Sequence, residues 1–219
     1  MATTKIRITQ KDYKFAIAAG LLIGLLLLPI LKTSNPAIFA KFWMAVVPFF
    51  LLGTPLGLRI AFAIGKKIAI VYQIAKFGLI GVLNTLVDLG VLTLATIIFS
   101  TYFKIEAIDA LAFGTTFYSL YKAISFIVAN ISSYFWNKYW TFDQGAKKQT
   151  RSEFIQFFAV SIIGFLINVF IASFTYKVLM ASLNNNFTSG QLGLMSAAAG
   201  SIAGLAWNFI GYKLWVFKK

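Results

Sequence analysis

Six stretches of about twenty mostly apolar residues, separated by short polar or basic segments, take up most of this 219-residue chain. They fall at about 13–31, 43–64, 76–99, 118–137, 154–176 and 193–213. A helix needs roughly 20 apolar residues to cross a hydrocarbon core of ~30 Å. Inside that core every backbone polar group must be paired within the protein, so only helices and closed barrels span it. Long apolar runs without strict alternation select the helix. The expected fold is therefore an all-α integral membrane protein with six transmembrane helices. Composition agrees: 59% of residues are hydrophobic and 12% charged, whereas soluble domains carry about 25% charged residues.

The chain has no cysteine and no histidine, which removes disulfides, thiol chemistry, imidazole bases and the usual zinc sites. No cofactor and no metal are expected. The first apolar run follows a basic leader, Lys5 to Lys14, and no small-residue cleavage site comes after it, so it is read as a retained helix. The formal charge of +14 raises the question of nucleic acid. The basic residues flank apolar spans instead of forming a patch, so anionic lipid is the expected counterpart.

The same residues set the orientation. One side collects Lys5, Arg7, Lys11, Lys14, Arg59, Lys66, Lys67, Lys76, Lys138, Lys147, Lys148, Arg151, Lys213, Lys218 and Lys219. The other has Lys32, Lys41, Lys104, Lys122 and Lys177. Fifteen against five puts both termini in the cytoplasm, in a multi-pass protein of the cytoplasmic membrane. Trp136, Trp140 and Trp215 lie near the cytoplasmic ends, where an anchoring role at the headgroups is the default. Pro48 and Pro55 suggest a kink in the second span, and Arg59 can snorkel. The sequon Asn186 to Thr188 is read as a chance match.

The last four spans resemble two copies of one hairpin. A shift of 80 brings Phe77 onto Phe157, Gly81 onto Ser161 and Asp88 onto Asn168. A shift of 75 brings Lys138, Trp140 and Phe142 onto Lys213, Trp215 and Phe217. Each copy has an even number of spans, so this is a parallel repeat. Residues 1–70 have no counterpart and form an added N-terminal pair, leaving 71–219 as a four-helix domain.

Asp88 lies inside the third span, with Asn84 one turn before it on the same face. A carboxylate at that depth costs about 2.5–3.5 kcal/mol on insertion scales, so it should be paired, protonated or turned to the bundle interior. It is either a binding group in a polar cavity or half of an Asp–Asn or Asp–Lys lock. Asn130, Ser133 and Asn137 form a stripe on span four; Asn168 and Asn208 add amides on spans five and six. These amides can glue helices together or meet sugar hydroxyls. Lys138 and Lys213 can snorkel, or hold a lipid phosphate as point charges. Lys122 and Lys177 could do the same on the outer side. Gly200 and Gly204 make a small-xxx-small motif, for internal packing or a homo-oligomer. No P-loop, nucleophile elbow or paired-Asp nucleotide-sugar motif occurs, and six acidic residues leave little for acid–base work. An enzyme is not expected.

The run from Phe77 through Gly81, Asn84, Thr85 and Asp88 resembles the GtrA family, as does Asn130 through Asn137, Lys138, Trp140, Thr141 and Phe142. The ending Lys213, Trp215, Phe217 is similar too, so the resemblance covers about residues 74–217. The family commonly has Arg where this chain has Lys138, which keeps the charge and loses the bidentate fork. The resemblance implies a four-helix domain that moves a polyprenyl-phosphate-linked monosaccharide between leaflets. Enzymes beyond the membrane would then decorate cell-surface polysaccharide with it. It also implies a glycosyltransferase partner that makes the lipid-linked sugar. In this reading Lys138 and Lys213 hold the phosphate, while Asn84, Asp88, Asn130, Asn137, Asn168 and Asn208 line the sugar path. The alternatives are a scaffold or anchor for the glycosyltransferase, and a small proton-coupled exporter using Asp88.

Overall fold

A computed structural model describes residues 7–66, 68–112, 114–144, 150–183 and 187–218, without the Leu183 side chain. The expected cations Lys5, Lys67, Lys147, Lys148 and Lys219, and Asn186 of the sequon, lie outside the described residues. The described chain is helical: α1 (Gln10–Ser34), α2 (Pro36–Gly65), α3 (Ala69–Ile98), α4 (Phe117–Trp136), α5 (Arg151–Leu183) and α6 (Ser189–Gly211). Three five-residue π-helical turns, Phe99–Phe103, Asn137–Thr141 and Tyr212–Val216, extend α3, α4 and α6.

Local chemistry explains several of the ends. Thr9 caps α1 in a reciprocal box with Asp12, each side chain bonding the other's backbone N–H. Asn35 accepts from the Ile38 N–H and Pro36 opens α2, where its missing donor costs nothing. Thr188 and Gln191 make a second box at α6, in a stretch that reads as plain turn by composition. Pro48 and Pro55 sit inside α2, which continues through both as one helix.

Among the described residues, five helices are long and apolar enough to cross a membrane: α1, α2, α3 with its π turn, α5, and α6 with its π turn. The chain is a multi-pass membrane protein. The expected fourth span corresponds to α4, 20 residues long. Its polar residues, among them Lys122, Ser125, Asn130 and Ser133, lower its hydropathy and gather on a face that packs inward.

The chain divides into two compact units, Met1–Asp143 and Gln144–Lys219. In the first, α1 and α2 run antiparallel: Ala16 meets Thr54, and Gly20 and Gly24 let Phe50 and Val47 approach. The buried core joins Ala16, Ala19 and Ile23 of α1 and Leu58 of α2 to Ile80 and Leu83 of α3 and to Trp140. Helices α1 and α2 therefore share one core with α3. Helices α3 and α4 are also antiparallel, as Phe99 against Tyr121 and Phe77 against Phe142 require.

In the second unit α5 and α6 pack closely. The carbonyl of Asn168 lies where a side chain at Gly200 would begin, and the carbonyl of Gly164 is 2.8 Å from the corresponding point at Gly204. The small-xxx-small motif thus serves packing within the unit. Gly200→Leu should overpack this seam and cost about 1–3 kcal/mol. Gly193→Ala, on the same helix with open space around it, should be neutral. Thermal unfolding in detergent checks both; equal midpoints for the two variants would contradict the packing.

Candidate functional site

The intramembrane acid predicted from sequence is paired. Asp88 on α3 forms an ion pair with Lys122 on α4, and its second oxygen accepts a 2.6 Å hydrogen bond from the Ser125 hydroxyl. Lys122 and Ser125 are one turn apart on α4, so a single helix face presents both donors to the carboxylate. The cluster is only partly enclosed, with the Asp88 side chain 21% exposed and that of Lys122 42%. Asn84 is half-buried one turn below, and its side-chain amide oxygen has no partner. The Tyr121 hydroxyl, one turn from Ser125, is buried and also without one.

The α4 stripe is occupied differently. Asn130 donates to the Phe126 carbonyl at 2.9 Å, and Asn137 to the Ser133 carbonyl and hydroxyl at 2.9 and 3.1 Å. Both amide donors are thus satisfied on their own helix, while the Asn137 side-chain amide oxygen stays buried without a partner. Lys138, in the π turn, is fully buried, with its ammonium 3.5 Å from the Tyr134 hydroxyl and 5.8 Å from that ring.

In the second unit Lys213 is half-buried, its ammonium 5.6 Å from the Phe209 ring. Asn168 and Asn208 border the α5–α6 seam. A side chain at Gly200 would meet the Asn168 carbonyl oxygen, and one at Gly164 would meet the Asn208 amide. Ser161 and the Tyr212 hydroxyl are 2.6 Å apart, and Phe157 stacks on the Tyr212 ring at 4.2 Å.

A second buried charge centre emerges that sequence reasoning missed. Asp12 of α1 accepts from the Lys76 ammonium at 2.7 Å, the Trp140 indole N–H at 3.0 Å and the Thr9 N–H at 2.9 Å. It is closed: the Asp12 and Lys76 side chains are 7% and 11% exposed. Phe15 stacks on Trp140 at 5.7 Å, and the Lys76 ammonium sits 4.6 Å over the Tyr72 ring. Trp140 is thus a buried hydrogen-bond donor, not a headgroup anchor, whereas Trp215 is half-exposed. Lys76 belongs to the core and is lost from the basic rim. The available signal was an acid just inside an apolar helix, with no neighbour on that helix to account for it except its capping partner.

Residues 76–217 match the family model described as "GtrA/DPMS, transmembrane domain". The chain is also similar to the "Uncharacterized membrane protein YngA" of Bacillus subtilis (strain 168), 28% identical over 144 residues, which cover 66% of this chain and 78% of that one. No solved structure matches. The matched segment opens at Lys76, contains the Asp88, Lys122 and Ser125 cluster, and closes on Phe217. A match over more than half of the chain, enclosing this charged membrane cluster, makes the protein a member of the GtrA/DPMS transmembrane-domain family.

Proposed function

We propose that this protein binds a polyprenyl-phosphate-linked monosaccharide and carries it across the cytoplasmic membrane to supply glycosylation of cell-surface polysaccharide. One observation carries the reading: an acid, a base and a hydroxyl meet within the membrane-spanning part of the family segment, and the acid and the base are both only partly buried. Burying such a set is costly in hydrocarbon, so intramembrane ionisable groups mark substrate routes by default. Asn84, Asp88, Asn130 and Asn137 are assigned to the sugar path in the first unit, and Asn168 and Asn208 contribute amides in the second. Lys213 is the more accessible of the two inner phosphate candidates. Lys138 takes part only after its ammonium leaves the cover of Tyr134. No catalytic step is assigned to the chain. A glycosyltransferase makes the lipid-linked sugar on the cytoplasmic side, where both termini lie, and six spans are assigned with α4 as the fourth.

The two hairpin endings favour a duplicated origin. Their π turns occupy 137–141 and 212–216, one shift of 75. Phe77 meets Phe142 at 6.4 Å, and the shifted pair Phe157 and Phe217 meets at 6.1 Å.

The test is leaflet transfer in proteoliposomes loaded with a polyprenyl-phosphate hexose. Access of an outside reagent to the sugar should rise with time only where the protein is present. Folded protein that transfers none of several such lipids would move the assignment to a scaffold for the glycosyltransferase. The Asp88–Lys122 pair would then serve as a helix lock. A proton-coupled exporter is disfavoured by the same pair, because its coupling carboxylate would be committed to a lysine.

A further inference from the structure

The first unit holds two embedded Asp–Lys pairs of the same chemistry and opposite access. The Asp12 carboxylate is closed in by Trp140, Thr9 and Lys76. The Asp88 pair keeps an exposed flank, larger on the lysine side. Lys122 lies five residues into α4, ~7.5 Å from its N-terminal end by helical rise, within reach of the headgroup level for a flexible side chain.

We propose that Asp88 is a stand-in anion: the phosphate of the lipid-linked sugar displaces it from Lys122, and sugar hydroxyls of the same molecule then satisfy the released carboxylate. This rests on the polyprenyl-phosphate sugar reading given above. An ammonium binds phosphate as a point charge through charge-assisted hydrogen bonds, so the exchange replaces one anion by another at the same donor. The carboxylate left behind in the membrane would be costly if nothing replaced the lysine. Ser125 stays bonded to one oxygen, and hydroxyls of a sugar supply the missing donors. The Asn84 side-chain amide oxygen, without a partner and one turn from Asp88, adds an acceptor for a polyol. A ligand with phosphate and sugar together re-pairs both halves of the ion pair. A lipid phosphate alone re-pairs only one.

The experiment uses the full chain in phosphatidylcholine nanodiscs and titrates polyprenyl phosphate, with polyprenol as the uncharged control, followed by native mass spectrometry. Asp88→Asn should bind polyprenyl phosphate about tenfold more tightly than the parent, because Lys122 is no longer neutralised, a change worth ~1.4 kcal/mol. Lys122→Gln should bind it about tenfold more weakly, again ~1.4 kcal/mol. Polyprenol should be indifferent to both changes. Asp88→Asn binding no better than the parent, or Lys122→Gln binding equally well, overturns the exchange. Should Asp88→Asn not fold, Ser125→Ala decides: it removes the donor that stays with the released carboxylate, so polyprenyl phosphate should bind more weakly, and equal or tighter binding overturns the proposal. Leaflet transfer by the parent chain without these affinity shifts sinks the exchange and leaves translocation. The shifts without transfer sink translocation and leave a lipid-binding site.

Discussion

Asp88→Ala is expected to lower protein-dependent leaflet transfer by more than about tenfold, a loss of over ~1.4 kcal/mol in the rate-limiting barrier. The carboxylate is the hub of the open cluster, bonded at once to Lys122 and Ser125. Its removal leaves the ammonium without a counter-ion in a low-dielectric setting. It also takes away the group that meets the sugar. The fold should survive, because the pair is partly exposed and its loss carries less than the ~3–5 kcal/mol of a fully buried one. The assay is the initial rate of reagent access to a polyprenyl-phosphate hexose, with reconstituted amounts matched. Asp88→Asn combined with Lys122→Gln distinguishes a ligand role from a lock. A lock whose two charges are both removed should transfer normally, whereas a binding pair should stay defective. Parental transfer by Asp88→Ala would remove the residue from the route.

The largest stability loss is expected from Asp12→Ala. Here the carboxylate is closed from lipid and water and gathers donors from Lys76, Trp140 and Thr9, so truncation strands a buried lysine and an indole N–H. Breaking a buried pair by removing one partner costs about 3–5 kcal/mol. Asp12→Asn should lose less, since an amide oxygen still accepts from Trp140 but no longer neutralises Lys76. Asp12→Leu with Lys76→Met should recover most of the loss, because desolvating both charges costs nearly what their attraction returns. Thermal unfolding in detergent, followed by tryptophan fluorescence, reads all three variants. An unchanged midpoint for Asp12→Ala would mean that the cluster does not hold α1 to α3 and the Trp140 turn. Asp12 of α1, outside the family match, thus holds the Trp140 turn inside it.

Much of this was legible in the one-dimensional pattern. Apolar run length gives helices, because a membrane interior forbids unpaired backbone. The same pattern places Asp88 within a span, where a carboxylate should be paired, protonated or turned to the bundle interior. The order of Asn84, Asp88, Lys138, Trp140 and Phe142 carries the family. Partner identity was not legible. Whether Asp88 meets Lys122 depended on how α3 and α4 register against each other, a matter of packing between residues 34 positions apart. The Asp12 pairs span 64 and 128 residues, so no local rule reaches them.

Burial decided the rest. Lys138 and Lys213 read alike, each two residues before a tryptophan, yet the first is fully buried under Tyr134 and the second half-open over Phe209. Trp140 and Trp215 split the same way. Sequence by itself determined the solvent, the helical class and the family, because these follow from backbone pairing and apolar length along a single segment. Tertiary structure alone decided which charges are closed and which are accessible, because burial is set by what neighbouring helices place over a side chain.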